Sequence, residues 1–326
     1  MKTQKFGLNR LQWILAGVMV AQMILAVVVN LPRSTQASSG PLLEGYDPAA
    51  IVEILIENQA GDQIHMKKVN GSWVLPETGN YPVEGDKVTE LLEKFKNVQT
   101  NRMVTQTAAS HSQLLVAEDD FMSKINLTRA DGKSHRLFLG SSGGAGATHI
   151  RLFGSNQVYL TAALSSWEVS PTLSSWIDTN YLTLSPDEIQ SLSVQNANGT
   201  FKFIKGTDGQ WIYDGLGEGE VFDADGFQTT VGRLASLQMV EPVGTEANPS
   251  MGFEEPGATV VLELQDETQS TSQLTLTIGG MLAGNYAAKA SNSPYYVVIA
   301  PVYASSLLEM DHAGLLAAEP TPTPSP

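Results

Sequence analysis

Residues 47–75 read DPAAIVEILIENQAGDQIHMKKVNGSWVL, and residues 185–213 read SPDEIQSLSVQNANGTFKFIKGTDGQWIY. At an offset of 138, Pro48, Ile51, Asn58, Gly61, Lys67, Gly71 and Trp73 meet Pro186, Ile189, Asn196, Gly199, Lys205, Gly209 and Trp211. One inserted residue moves the offset to 139. Val83, Asp86, Leu92, Phe95 and Val98 then meet Phe222, Asp225, Val231, Leu234 and Leu237. Leu137, Leu139, Gly140 and Val158 meet Leu276, Ile278, Gly279 and Val297. A period this long is two copies of a whole domain, because solenoid units run to roughly 20–50 residues.

The matched positions have local reasons. Asn58 to Gly61 and Asn196 to Gly199 are loops between alternating apolar runs. Asn70-Gly71 and Asp208-Gly209 are tight-hairpin signals, since both turn positions favour positive φ. Each copy therefore opens as a three-stranded meander, with Trp73 or Trp211 packing on its own helix. That helix follows with Asp86 or Asp225 as the expected N-cap. Val88, Leu91, Leu92, Phe95 and Val98 recur at helical spacing, as do Phe227, Val231, Leu234 and Leu237. More strands follow over 124–140 and 149–161, and over 259–280 and 285–300. A shorter helix is expected at 164–176 and at 302–310. Strands, helix, strands, helix reads as an α+β class with mainly antiparallel sheets, in tandem domains at 47–183 and 184–312.

Upstream, residues 11–31 carry no charge (LQWILAGVMVAQMILAVVVNL). As a helix they would span about 31 Å, matching the hydrocarbon core of a bilayer. Lys2, Lys5 and Arg10 precede them and Trp13 suits the interfacial belt. The expectation is a cytoplasmic basic tail at 1–10, a transmembrane helix at 11–31 and an extracytoplasmic body. A cleaved signal peptide ending near Thr35-Gln36-Ala37 is the alternative. Residues 32–46 read as a flexible linker and 313–326 as a Pro/Thr-rich disordered tail.

Composition narrows the partners. The chain of 326 residues has no cysteine, which excludes disulfides, thiolate metal sites, thiol catalysis and a lipidated-cysteine anchor. Its 19 basic and 34 acidic groups give a net charge of −15. The first 40 residues hold four bases (Lys2, Lys5, Arg10, Arg33) and no acid, so the remainder carries 15 against 34. Such a body repels phosphate backbones, and no nucleic-acid partner is expected. A hydrophobic share of 42 % supports packed cores.

Reactive constellations are few. Gly140-Ser-Ser142-Gly-Gly144 matches the nucleophile elbow G-x-S-x-G, but a glycine-rich β-run follows it where a helix is required. Its counterpart Gly279-Gly-Met-Leu-Ala-Gly284 has no serine. Gly215-Leu-Gly-Glu-Gly219 is flanked by acids that repel pyrophosphate. Asp223-Ala-Asp225-Gly226 resembles part of a calcium loop but fits a helix cap better. His65, His111, His135, His149 and His312 show no metal-ligand spacing, and Glu118-Asp119-Asp120 reads as a solvated loop. No catalytic, cofactor-binding or metal residue is assigned.

Gly71-Ser-Trp73-Val-Leu-Pro76 followed by Asp86, Val88, Leu91, Leu92 and Phe95 resembles the bacterial family catalogued as domain of unknown function 4340. Gly209-Gln-Trp211 with Asp225, Val231 and Leu234 repeats the pattern, and the resemblance covers 47–310. It implies a membrane helix followed by such repeats. It also implies an accessory role at the cell envelope near ABC-type transport components, with no catalytic residues to transfer. The expected protein is therefore a non-enzymatic, single-pass membrane-anchored accessory or scaffolding subunit. It would be held by the lipid bilayer and an envelope protein partner. A glycan- or peptide-binding module using Trp167, Trp176, Tyr295 and Tyr296 is the alternative, and a serine hydrolase the weakest one.

Overall fold

A computed structural model describes residues 14–15, 18–23 and 40–317. The expected basic tail at 1–10, residues 32–39 of the linker and 318–326 of the tail lie outside the described residues. So does most of the expected transmembrane span at 11–31, of which 14–15 and 18–23 are helical. Among the described residues no helix is long and apolar enough to cross a membrane.

The first meander forms as its turns require. Strands β1 (Ile51–Asn58), β2 (Gln63–Val69) and β3 (Ser72–Leu75) pair antiparallel. Asn70 and Gly71 both have positive φ, 51° and 89°, so a two-residue turn joins β2 to β3. The second meander is β10 (Ile189–Asn196), β11 (Gly199–Lys205) and β12 (Trp211–Tyr213). Its last turn departs from expectation. Only Gly209 has positive φ there, and Gly206 N donates to Gln210 O across a longer loop.

Helix α1 (Gly85–Lys96) buries Val88, Leu91, Leu92 and Phe95, and α2 (Ala224–Ala235) buries Phe227, Val231 and Leu234. Trp211 sets its ring edge against Phe227, 5.4 Å away at 77°. Both expected caps shift by two residues. Glu84 precedes α1 without a side-chain cap, while Asp223 caps α2 by accepting from Gly226 N at 3.0 Å. Asp86 and Asp225 instead place charge in the first turn, where the helix dipole favours it.

The remaining strands are β4 (Tyr81–Pro82), β5 (Met103–Thr105), β6 (Ser123–Arg129), β7 (Ser134–Gly144), β8 (Ala147–Leu152) and β9 (Val158–Thr161). In the second half they are β13 (Met239–Gly244), β14 (Ala258–Gln265), β15 (Thr271–Leu282), β16 (Asn285–Ala290) and β17 (Tyr296–Ile299). The nine-stranded sheet runs β4-β3-β2-β1-β6-β7-β8-β9-β5, and the eight-stranded sheet runs β12-β11-β10-β14-β15-β16-β17-β13. Apart from β4 the order is the same. All pairings are antiparallel, so the chain is α+β with two antiparallel sheets.

Closure of the halves differs from expectation. Helix α3 (Pro301–Leu308) closes the second, but 164–176 holds only the 3-10 turns Ser166–Glu168 and Leu173–Ser175. The ends also pack further than their composition indicates. Leu42 and Leu43, in the expected linker, are buried, and Leu42 N donates to Val98 O. Leu315, in the expected tail, is buried, and its carbonyl accepts from Asp223 N as Trp176 O accepts from Glu84 N. Burial against the helix ends explains why these short apolar stretches are ordered. One buried cluster runs through both halves.

Candidate functional site

A groove of about 700 Å³ opens where the chain enters the first half. Gly40, Pro41, Leu42, Leu43 and Glu44 form one side. Their position is fixed by Leu42 N to Val98 O at 2.8 Å and Thr100 N to Gly40 O at 2.9 Å. Met103, Leu152 and Tyr159 bring apolar surface from β5, β8 and β9. Gln106, His135, Ser155 and Gln157 add polar groups.

The polar groups are nearly all uncharged. Burial raises the Tyr159 phenol, so it stays a donor and bonds Gln157 Oε1 at 2.8 Å. Burial, then the charge of Arg129, lowers the His135 imidazole, which is neutral at pH 7. Its ring stands edge-on to Tyr46 at 5.7 Å. Glu44 is the one carboxylate lining the groove. The arrangement offers hydrogen bonds and apolar contact to an uncharged surface. Sequence reasoning missed it because most of its residues sit in a stretch read as linker and in short polar connections.

The residues singled out in the sequence are dispersed. Strand β7 continues through Ser142, which lies opposite Thr148 and receives a bond from Gly144 N at 3.2 Å. Ser141 and His149 approach at 3.2 Å, but His149 Nδ1 stands 2.8 Å from the Ser141 carbonyl. Nδ1 is therefore the protonated nitrogen and cannot accept the serine proton. Ser141 Oγ donates to Leu114 O instead. Tyr213, His312 and Glu220 form a chain, 3.2 Å to Nδ1 and 3.0 Å from Nε2, ending on a phenol whose pKa burial raises. His65 lies between Glu53 and Glu77, and His111 bonds Asn156 O. Among the described residues no group of three or more His, Asp or Glu could hold a metal ion.

The aromatics divide. Trp167 is 77 % exposed, beside Lys87, Glu90 and Lys94. Trp176, named for the binding alternative, is buried and donates from Nε1 to Ser170 O. Tyr295 and Tyr296 are half-buried, the first against Tyr81 and the second against Phe253.

Two antiparallel sheets in the same strand order, each with a packed helix, define a duplicated α+β protein carrying a groove lined mostly by uncharged groups. The family model described as Domain of unknown function (DUF4340) matches residues 73–256, more than half of the chain, and the chain belongs to that family. The matched segment is narrower than 47–310 and runs from Trp73 in β3 to Pro256 ahead of β14. No curated protein and no solved structure matches the chain.

Proposed function

We infer that this is a non-enzymatic accessory protein of the cell envelope, anchored by residues 11–31, whose body docks other proteins outside the membrane. The observation that carries the docking role is the groove at 40–44. Its lining is hydrogen-bonding and, apart from Glu44, uncharged, and among the described residues it brings no nucleophile together with a base. The uncharged 21-residue span supports the anchorage, and Lys2, Lys5 and Arg10 ahead of it support the orientation. Association with an ABC-type transport system rests on the family resemblance.

The test is purification of the full chain from native membranes in mild detergent, with protease treatment of spheroplasts alongside. A stable complex with membrane proteins and complete digestion of the body are expected. A chain that elutes alone rejects the docking role, and a fully protected body rejects the orientation. A second reading, glycan binding, is favoured by the exposed Trp167 ring, which offers a flat apolar face beside polar groups. Saturable binding of cell-wall oligosaccharide, lost in Trp167→Ala, would select it.

A further inference from the structure

The two halves align at the groove by their hydrogen bonds. Pro41 pairs with Gln99 as Asn180 pairs with Gln238. Leu42 N bonds Val98 O as Tyr181 N bonds Leu237 O, so Leu42 corresponds to Tyr181. Met103 lies opposite Tyr159 and Thr105 opposite Val158, as Pro242 lies opposite Val297 and Gly244 opposite Tyr296. Gln157 therefore corresponds to Tyr295, and Gln106 to Thr245.

In the second half this same place is filled by tyrosine. Tyr181 accepts from Ala290 N and donates to Tyr295 O, each at 2.8 Å. Tyr295 in turn holds a loop of the first half. Its hydroxyl donates to Asn80 O at 3.1 Å, and its ring meets Tyr81 edge-on at 4.7 Å. Gly79 sits directly on the backbone of Thr245. The loop is sharply turned, with Gly79 and Asn80 both at positive φ. In the first half Leu42 and Gln157 replace two of these rings, and the groove is what they leave open.

We propose that this groove is a socket for a turn bearing a tyrosine on a partner protein, whose ring takes the place that Tyr181 and Tyr295 fill in the second half. The proposal rests on the docking role above and adds the chemistry of the occupant. A second copy of this chain does not supply it. The position matching Tyr81 in the second half is Glu220, already held by Gly217 N and His312.

The probe is a cyclised peptide of residues 76–83 (PETGNYPV), titrated onto the full chain in detergent. Saturable binding is expected, weakened at least about tenfold when the peptide tyrosine becomes alanine. Leu42→Tyr, which fills the groove as Tyr181 fills its counterpart, should weaken it equally. The exposed Gln157→Tyr gives the same readout without touching a buried position. Equal binding of the alanine peptide, or none up to about 1 mM, overturns the proposal. So does self-association abolished by Leu42→Tyr, which assigns the groove to a second copy. A native complex that survives both variants overturns this socket and leaves the docking role standing. Peptide binding without any native complex supports the socket and rejects the docking role.

Discussion

Gly140 and Gly279 recur in the two halves for a reason of space. A Cβ on Gly140 would stand 2.1 Å from Leu114 O, and one on Gly279 would stand 2.1 Å from Met251 O. Neither glycine is at positive φ, so close backbone approach is what excludes a side chain. Gly279→Ala should lower stability by about 1–3 kcal/mol, because the loop carbonyl must move. Gly232 provides the contrast. It lies within α2 with open space around its Cβ. Gly232→Ala should raise stability by about 0.5–1 kcal/mol through helix propensity. Denaturant unfolding of the two variants checks both signs. A buried cation obeys the same kind of local logic. Arg151 lies over the Phe138 ring and bonds Ser155 O, as Lys289 lies over Tyr296 and bonds Ser293 O. Each cation ties down the loop after its strand.

At the scale of elements, β7 delivers His135 to the groove next to Tyr46. Burial and Arg129 lower its pKa below 6.5, so the fold prefers the neutral ring. The stabilisation is present above about pH 6.5 and is lost as pH falls through the lowered folded value. Unfolding midpoints measured between pH 7 and pH 5 should fall, and His135→Gln should flatten that part of the curve. An unchanged slope would place His135 in free solvent. The elements themselves were legible where local chemistry decides them. Asn70-Gly71 made its turn, and the apolar spacing of Val88 to Phe95 made its helix. Legibility failed where distant residues decide. The starts of α1 and α2 are set by Trp176 O and Leu315 O bonding Glu84 N and Asp223 N, contacts invisible to a local pattern. Offsets drifted within strands for the same reason. Lys68, not Lys67, lies opposite Trp73 as Lys205 lies opposite Trp211. Tyr159, not Val158, takes the place of Val297. Strand β5 has three residues and pairs only with β9, leaving too short a pattern to read. The groove was the least legible feature, since Leu42 and Gln157 acquire meaning only against Tyr181 and Tyr295.

For the whole molecule, the question is whether the two sheets move as one body. The buried cluster is continuous through them, and the junction at 179–184 is tied down by Leu237 O and Ala235 O. Across the interface, Tyr81 is the loop tip and is half-buried. Its phenol is pushed up to about 12, chiefly by burial and then by Asp178, so its hydroxyl stays a donor. The ring pair with Tyr295 and the bond from Tyr295 to Asn80 O both depend on the halves holding one arrangement. A hinge that opened freely would break them at little loss, and replacements on the two sides would then be independent. A fixed interface gives a different result. Tyr81→Ala and Tyr295→Ala should show a coupling of about 0.5–1.5 kcal/mol in a double-mutant cycle. Urea unfolding of the wild-type body should follow one transition. Strict additivity of the two variants, together with two separate transitions, would make the halves independent domains. The socket on the second half would then be an occasional contact, and its value as a template for the groove on the first half would fall with it.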